Sequence, residues 1–89
     1  MTKTEFNNIV HDGMNRGKIY LAVKIETEGN PRPEIIINPE ENFREKLKYY
    51  RNAYNDNMEL IGAKAVGKIV RITDALMTNN LHDLDWFMY

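Results

Sequence analysis

The stretch from Pro31 to Asn57 constrains the fold more than any other part of the chain. It contains three consecutive β-branched residues, Ile35 to Ile37, a run that is typical of a strand buried on both faces. Asn38 follows at a position suited to a helix N-cap, with Pro39 at the first helical position and Glu41 three residues after the cap. The pattern predicts a strand that leads directly into a capped helix.

Apolar residues then recur at helical spacing. Phe43, Leu47, Tyr50 and Tyr54 follow one another at intervals of four, three and four residues, which places them on one face of a helix. Asn55 to Asn57 is a stop signal. We therefore predict one main amphipathic helix that packs on a sheet.

The segment from Lys18 to Glu28 has the clearest strand pattern in the chain. Apolar residues alternate with polar or small ones, so that one face carries Ile19, Leu21, Val23 and Ile25. A turn rich in Gly, Asn and Pro follows, from Glu28 to Pro33. The sequence predicts that this strand and the Ile35–Ile37 strand form an antiparallel hairpin.

The remaining segments are shorter. Thr4 to Met14 predicts an amphipathic helix that Thr2 or Thr4 could cap, with Phe6, Ile9, Val10 and Met14 on one face. Met58 to Val66 is ambiguous between strand and helix, and Gly67 to Thr73 predicts a further strand that Asp74 to Thr78 could extend. Leu81 to Tyr89 favours a short helix or turn.

These elements predict a small single α+β domain over residues 1–89. Its antiparallel sheet would have three to four strands, packed by one main amphipathic helix and short terminal helices. The expected order is α-β-β-α-β-β-(α), with the helices on one face of the sheet.

Composition limits the classes of function. The 89 residues carry a net charge of −1, so no overall field would draw the protein to nucleic acid or to an acidic membrane. There is no cysteine, which fits a reducing cytoplasm and removes thiol chemistry. No apolar stretch resembles a signal peptide or a membrane span. We expect a cytoplasmic protein with no membrane partner.

The sequence offers little for catalysis. Gly62 to Lys68 matches the start of a phosphate-binding loop, but Ile69 stands where the Mg²⁺-binding hydroxyl should be. A small metal-dependent hydrolase would have to use His11, Asp12, His82, Asp83 and Asp85. Because nothing in the sequence brings positions 11 and 82 together, surface histidines beside capping aspartates are the better interpretation. We predict no enzyme, no metal site and no cofactor.

The main helix carries one candidate binding strip. Arg44, Lys48 and Arg51 recur at helical spacing, and Tyr49 can flank them. Such a strip suits a phosphate backbone or an acidic protein surface. The alternative is a solvated helix face on which Glu40 and Arg44 form an i, i+4 ion pair.

The aromatic C-terminus is the second candidate surface. Trp86 and Tyr89 belong to residue types that dominate interface hot spots. This apolar end could dock on the domain, pair with a second copy in a homodimer, or bind a partner.

Together these features predict a non-enzymatic protein-binding module whose partner-binding residues are Arg44, Lys48, Tyr49, Arg51, Trp86 and Tyr89. Eleven asparagines and many Ile and Lys residues are typical of small proteins of phages and mobile elements in low-GC bacteria. We therefore expect a host protein as partner, for example a defence nuclease that the protein inhibits. A nucleic-acid-binding module that uses the basic strip is the alternative, and the metal-dependent hydrolase is a third.

Overall fold

The computed structural model describes residues 1–87, in which three antiparallel strands form one sheet and four helices pack around it. The predicted α+β class is confirmed. The elements are α1 (Lys3–Asn15), β1 (Tyr20–Thr27), β2 (Glu34–Pro39), a 3-10 turn (Glu40–Asn42), α2 (Phe43–Ala53), α3 (Ile61–Ala65), β3 (Val70–Thr78), a second 3-10 turn (Leu81–Asp83) and α4 (Leu84–Phe87).

The central strand of the sheet is β1, in the order β2-β1-β3. Val23 at its middle lies opposite Ile36 of β2 and Ala75 of β3. The predicted hairpin of β1 and β2 is confirmed, and a register shift after Lys24 accommodates an extra residue in β3. Asp74 to Thr78 extends the last strand.

The main core lies between one face of the sheet and the helices α1 and α2. Leu21, Val23 and Ile25 are buried there, as the alternating pattern of β1 predicts, whereas Ile19 precedes the strand and is exposed. The other buried members are Phe6, Val10, Phe43, Tyr50, Tyr54, Met58, Ile72, Ala75 and Met77.

A second, smaller core covers the opposite face of the sheet, so the prediction that all helices share one face is wrong. Leu84 and Phe87 of the short helix α4 pack on Ala22, and Ile35 and Leu76 flank them. The small side chain of Ala22 leaves room for this contact between apolar neighbours on both adjoining strands. Burial of this face explains why α4 docks on the domain.

The fourth strand, for which Met58–Val66 was the candidate segment, does not form. Glu59 and Leu60 make only isolated bridges, to Arg71 and Tyr54, and the chain then turns into α3. Met58 itself is fully buried with a left-handed backbone at φ 56°. The left-handed turn at Met58 and the start of α3 at Ile61 leave only Glu59 and Leu60 between them, which is too short for a strand.

The predicted N-cap at Asn38 is also wrong. Asn38 is buried within β2, where its side-chain amide donates hydrogen bonds to the Leu21 carbonyl at 3.1 Å and to the Tyr50 hydroxyl at 3.2 Å. Pro39 is the last residue of the strand, and a 3-10 turn separates it from α2. The amide therefore satisfies a buried carbonyl of the sheet instead of a helix end.

The N-terminal helix begins at Lys3, one residue before the predicted start, and Thr2 is the one of the two candidate threonines that caps it. The Thr2 hydroxyl accepts a hydrogen bond from the Glu5 amide at 3.1 Å, and the Glu5 carboxylate accepts one from the Thr2 amide at 3.2 Å. This reciprocal capping box fixes the start of α1. Further along the helix, Gly13 packs so closely on Met77 that a β-carbon would lie 2.4 Å from that side chain. Glycine thus sets the distance between α1 and β3.

In residues 1–87, none of the helices has the length and apolar character that crossing a bilayer requires.

Candidate functional site: the exposed face of α2 and the cleft beside it

Helix α2 is held on the sheet by two aromatic side chains. Phe43 and Tyr50 point inward and are buried. The Tyr50 ring meets Phe6 of α1 edge-on, with 5.6 Å between ring centroids, and its hydroxyl accepts the hydrogen bond from Asn38. The orientation of α2 about its own axis is therefore determined by buried contacts on both the sheet and α1. That orientation decides which α2 residues reach solvent.

The predicted basic strip lies exposed along one side of this helix. Arg44, Lys48 and Arg51 are all exposed. None of them takes part in the three ion pairs found among residues 1–87, which are Asp12–Arg16, Glu59–Lys64 and Glu26–Arg71. Glu45, the carboxylate on α2 itself, is likewise absent from those pairs. The three cations are free to meet an anionic surface.

The predicted ion pair between Glu40 and Arg44 does not form among these contacts. Glu40 lies in the 3-10 turn, and α2 begins only at Phe43. The i, i+4 geometry needs one continuous α-helix through both residues. The interruption at Glu40–Asn42 leaves Arg44 without that partner.

Tyr49 stands beside the strip and is 47% exposed. Its ring makes edge-on contacts with Tyr50 and Tyr54, at centroid distances of 5.5 and 6.1 Å. The ammonium group of Lys46 lies 5.8 Å from the ring centroid, within range of a cation–π contact. Tyr49 is therefore a supported aromatic side chain that keeps half of its surface available, as interface hot spots do.

A cleft of about 370 Å³ separates α2 from α1 next to the basic strip. Leu47 and Arg51 line its α2 side. Its α1 side and floor are formed by Phe6, Asn7, Val10, His11 and Met14. Met14, which the helical pattern placed with the core, is 49% exposed at this cleft. Among residues 1–87 no carboxylate lines the cleft, so an apolar floor is combined with the cation of Arg51 at its rim.

Lys3 secures the far end of α2. Its ammonium group donates hydrogen bonds to the carbonyls of Arg51 and Tyr54, at 2.8 and 2.5 Å. A cation at these carbonyls complements the negative end of the helix dipole. The contact ties α1 to α2 and adds positive charge at the end of the strip where Arg51 lies.

The buried tyrosines near the site are structural groups. Burial raises the pKa of Tyr50, although the hydrogen bond from Asn38 opposes the effect. Burial also raises the pKa of Tyr54, and the neighbouring Tyr49 adds to it. Both phenols stay protonated at neutral pH, since their ordinary pKa is 10.0. They support Tyr49 and are not placed for acid–base chemistry.

The six predicted partner-binding residues do not share one surface. Arg44, Lys48, Tyr49 and Arg51 lie together on α2. Trp86 lies on α4, which packs on the opposite face of the sheet, and it is 86% exposed. Tyr89 lies outside the described residues.

The five residues of the hydrolase alternative are likewise divided. His11 and Asp12 lie on α1, on one face of the sheet, whereas His82, Asp83 and Asp85 lie near α4 on the other. Asp12 pairs with Arg16 at 3.2 Å, and Asp83 accepts a hydrogen bond from the Thr78 hydroxyl at 2.6 Å. Within residues 1–87, no group of three or more possible metal ligands lies close enough to hold an ion.

The α1 side of the cleft was not predicted from the sequence. Asn7, His11 and Met14 share the side of α1 next to its buried stripe, but only the packing of α1 against α2 makes them part of a cleft. An exposed methionine beside the apolar stripe is the one sequence signal that could have indicated it.

Comparison with protein-family models, with curated proteins and with solved structures found no match to the chain.

Proposed function

We propose that this protein is a non-enzymatic binding domain that engages an acidic surface of another protein through α2. The observation that carries the proposal is a set of three exposed cations beside the supported ring of Tyr49. These cations, Arg44, Lys48 and Arg51, have no ion-pair partner within residues 1–87. Such a set combines electrostatic attraction with an aromatic anchor that needs little further ordering on binding.

The charge distribution favours an acidic protein surface over a nucleic acid. Helix α2 has four basic side chains and one acidic one, whereas the whole chain has a net charge of −1. The rest of the molecule is therefore acidic and would repel an extended polyanion. A compact acidic patch can contact α2 alone. Repulsion from the acidic residues elsewhere on the protein is largely screened beyond about 8–10 Å at physiological salt.

The cleft beside the strip adds a requirement on the partner. Phe6, Val10 and Leu47 make much of its lining apolar, and its volume is about 370 Å³. Burial of a leucine-sized side chain there would contribute roughly 1.5–3 kcal/mol. We therefore infer that the partner presents acidic residues around at least one protruding apolar side chain.

The partner is proposed to be a host protein. The asparagine-rich, cysteine-free composition supports an origin in a phage or mobile element and an activity in a reducing cytoplasm. In its most specific form, the protein inhibits a bacterial defence nuclease by covering a functional surface of it.

The test is affinity capture from lysate of the organism that carries the gene, with nuclease added throughout. The intact protein and the variant Arg44→Glu/Arg51→Glu are compared at equal loading. A stoichiometric protein that the intact chain retains and the variant loses supports the proposal. The variant Arg16→Glu/Lys68→Glu is the matched control, because it makes the same change in net charge at exposed positions away from α2.

The purified partner then allows a quantitative test. Tyr49→Ala should weaken binding about tenfold or more, whereas Tyr49→Phe should retain most of the affinity, because the ring supplies the contact. The proposal is wrong if the α2 variants and the control retain the partner equally.

The nucleic-acid alternative makes a different prediction. Three phosphate contacts would give a slope of about −3 when the logarithm of the association constant is plotted against that of the salt concentration. Arg44→Glu/Arg51→Glu would remove most of that slope. A steep, α2-dependent salt effect with DNA or RNA probes, together with proteins that are captured only when nuclease is omitted, would decide for nucleic acid.

A further inference from the structure

The outer edge of β2 has no partner in the described structure. β2 is an edge strand, and within residues 1–87 its backbone hydrogen bonds run only to β1. The side chains along this edge are incompletely covered: Ile35 and Ile36 are half-buried, and Ile37 is 45% exposed. The sequence pattern had indicated burial of all three isoleucines on both faces.

This edge lacks most of the features by which natural proteins prevent an edge strand from pairing with another chain. Natural edges are often blunted by lysine, by a bulge or by an inward-pointing charge. The centre of β2 is instead three isoleucines in regular register with β1. Pro33 and Pro39 flank the centre and cannot donate to a new ladder, so they limit any further pairing to the residues between them.

We propose that a second copy of this chain pairs with β2 through an antiparallel β2–β2 contact, which joins two three-stranded sheets into one of six. A two-fold axis through Ile36 places each residue opposite the one equally far on the other side of Ile36. Ile35 then faces Ile37 of the second copy, and Glu34 faces its Asn38. Cross-strand pairs of β-branched residues stabilise such a contact.

Charge selects this register over its neighbours. If the pairing is extended just beyond the strand ends, an axis at Ile36 brings Arg32 of each chain toward Glu40 of the other. Both residues are exposed, and neither takes part in the ion pairs of residues 1–87. An axis at Ile37 would instead place Glu34 opposite Glu40, and an axis at Ile35 would place Arg32 opposite the buried Asn38.

The contact also extends the second core. Ile35 already packs with Leu84, Phe87 and Ala22 on that face of the sheet. In the dimer, Ile37 of the second copy would lie beside Ile35 and lose much of its exposure. The patch is small, so we expect a reversible dimer that forms between micromolar and millimolar chain concentration.

Sedimentation equilibrium of the intact protein tests the proposal over that range. The mass should rise from that of one chain to twice that value. Ile37→Lys should prevent the rise without loss of the folded far-UV signal, because position 37 is partly exposed and a charged edge side chain opposes pairing.

Charge reversal tests the register. Arg32→Glu alone and Glu40→Arg alone each create two like-charge contacts by symmetry and should weaken dimerisation about tenfold or more. An equimolar mixture of the two variants should recover dimers, because both contacts in the mixed pair are then between opposite charges. Arg16→Glu, at the residue that follows α1, is the control and should leave the mass unchanged.

A mass of one chain throughout the range would overturn the proposal. So would a dimer that neither Ile37→Lys nor the charge reversals affect, or single variants that dissociate but do not recover on mixing. The dimer is independent of the proposed function, because the edge of β2 shares no residue with the α2 strip. Arg44→Glu/Arg51→Glu should therefore abolish partner capture and leave dimerisation intact.

Discussion

The side-chain amide of Asn38 donates a hydrogen bond to the hydroxyl of Tyr50 at 3.2 Å, and both groups are almost completely buried. The same amide reaches the Leu21 carbonyl at 3.1 Å. This pair connects the edge strand β2 to the inner side of α2. It therefore fixes how α2 is seated against β2, while the two surfaces to which we assign binding face different parts of solvent.

Removal of this amide should destabilise the protein. Asn38→Ala leaves a buried hydroxyl and a buried carbonyl without their donor, so we expect a loss of about 2–3 kcal/mol in the free energy of unfolding. Tyr50→Phe leaves the bond to Leu21 and should cost about 1 kcal/mol. Urea unfolding of both variants and of the double variant measures the coupling. Strictly additive effects would show that the bond contributes nothing.

Gly13 should not tolerate even one additional carbon. A β-carbon there would lie 2.4 Å from the Cβ of Met77, so Gly13→Ala must push α1 away from β3. Overpacking of this kind costs about 1–3 kcal/mol. Gly62→Ala, at a helical site with nothing within 4 Å, is the matched control and should be neutral or slightly stabilising. Thermal unfolding of the two variants in parallel checks the contrast.

Stability should fall in alkaline solution. Burial raises the pKa of Tyr50 and Tyr54 above 10.0, so the unfolded chain releases these protons at lower pH than the folded chain. Their contribution is complete below about pH 9 and is lost as the pH rises above about 10. Tyr54→Phe should make this decline shallower. Urea midpoints measured from about pH 9 to about pH 11 test whether stability falls as the pH rises. An identical decline in the Tyr54→Phe variant would contradict the assignment to Tyr54.

The ammonium group of Lys3 should contribute to the stability of α2. Lys3→Met removes its hydrogen bonds to the carbonyls of Arg51 and Tyr54, so we expect a loss of about 1–2 kcal/mol. Lys48→Met removes the same charge from an exposed position on the helix and should change stability by less than about 0.5 kcal/mol. Chemical unfolding of the two variants at equal ionic strength separates the helix-end contact from the general effect of charge.

The two aromatic neighbours on α4 should behave differently. Phe87 is buried in the second core, and the ammonium of Lys24 lies 5.0 Å from its ring centroid. Phe87→Ala should cost about 3 kcal/mol or more. Trp86→Ala, at an exposed position, should change the unfolding free energy by less than about 0.5 kcal/mol. Equal losses in both variants would contradict this placement of α4.

Local patterns predicted most of the elements correctly. The alternation in β1 and the spacing of Phe43, Leu47 and Tyr50 both depend on the period of one segment, and a period can be read without knowing what the segment touches. The basic strip on α2 follows from the same spacing. The lack of ion pairs on this strip within residues 1–87 could not be predicted from the spacing, because the i, i+4 rule assumes a helix that begins before Glu40. The cleft likewise depends on which helix lies beside α2.

The sequence by itself determined the α+β class, the strand β1, the inward side of α2 and the presence of a threonine cap before α1. Each of these depends on residues within a few positions of one another, whose energies are decided by local geometry. The tertiary structure alone decided that Asn38 is a buried donor and no helix cap, that α4 covers the second face, and that Ile37 lies on an open edge. These depend on contacts between distant segments, such as Asn38 with Tyr50 and Leu84 with Ala22. A buried polar group is stabilised by whichever partner the packing brings to it, and sequence distance does not specify that partner.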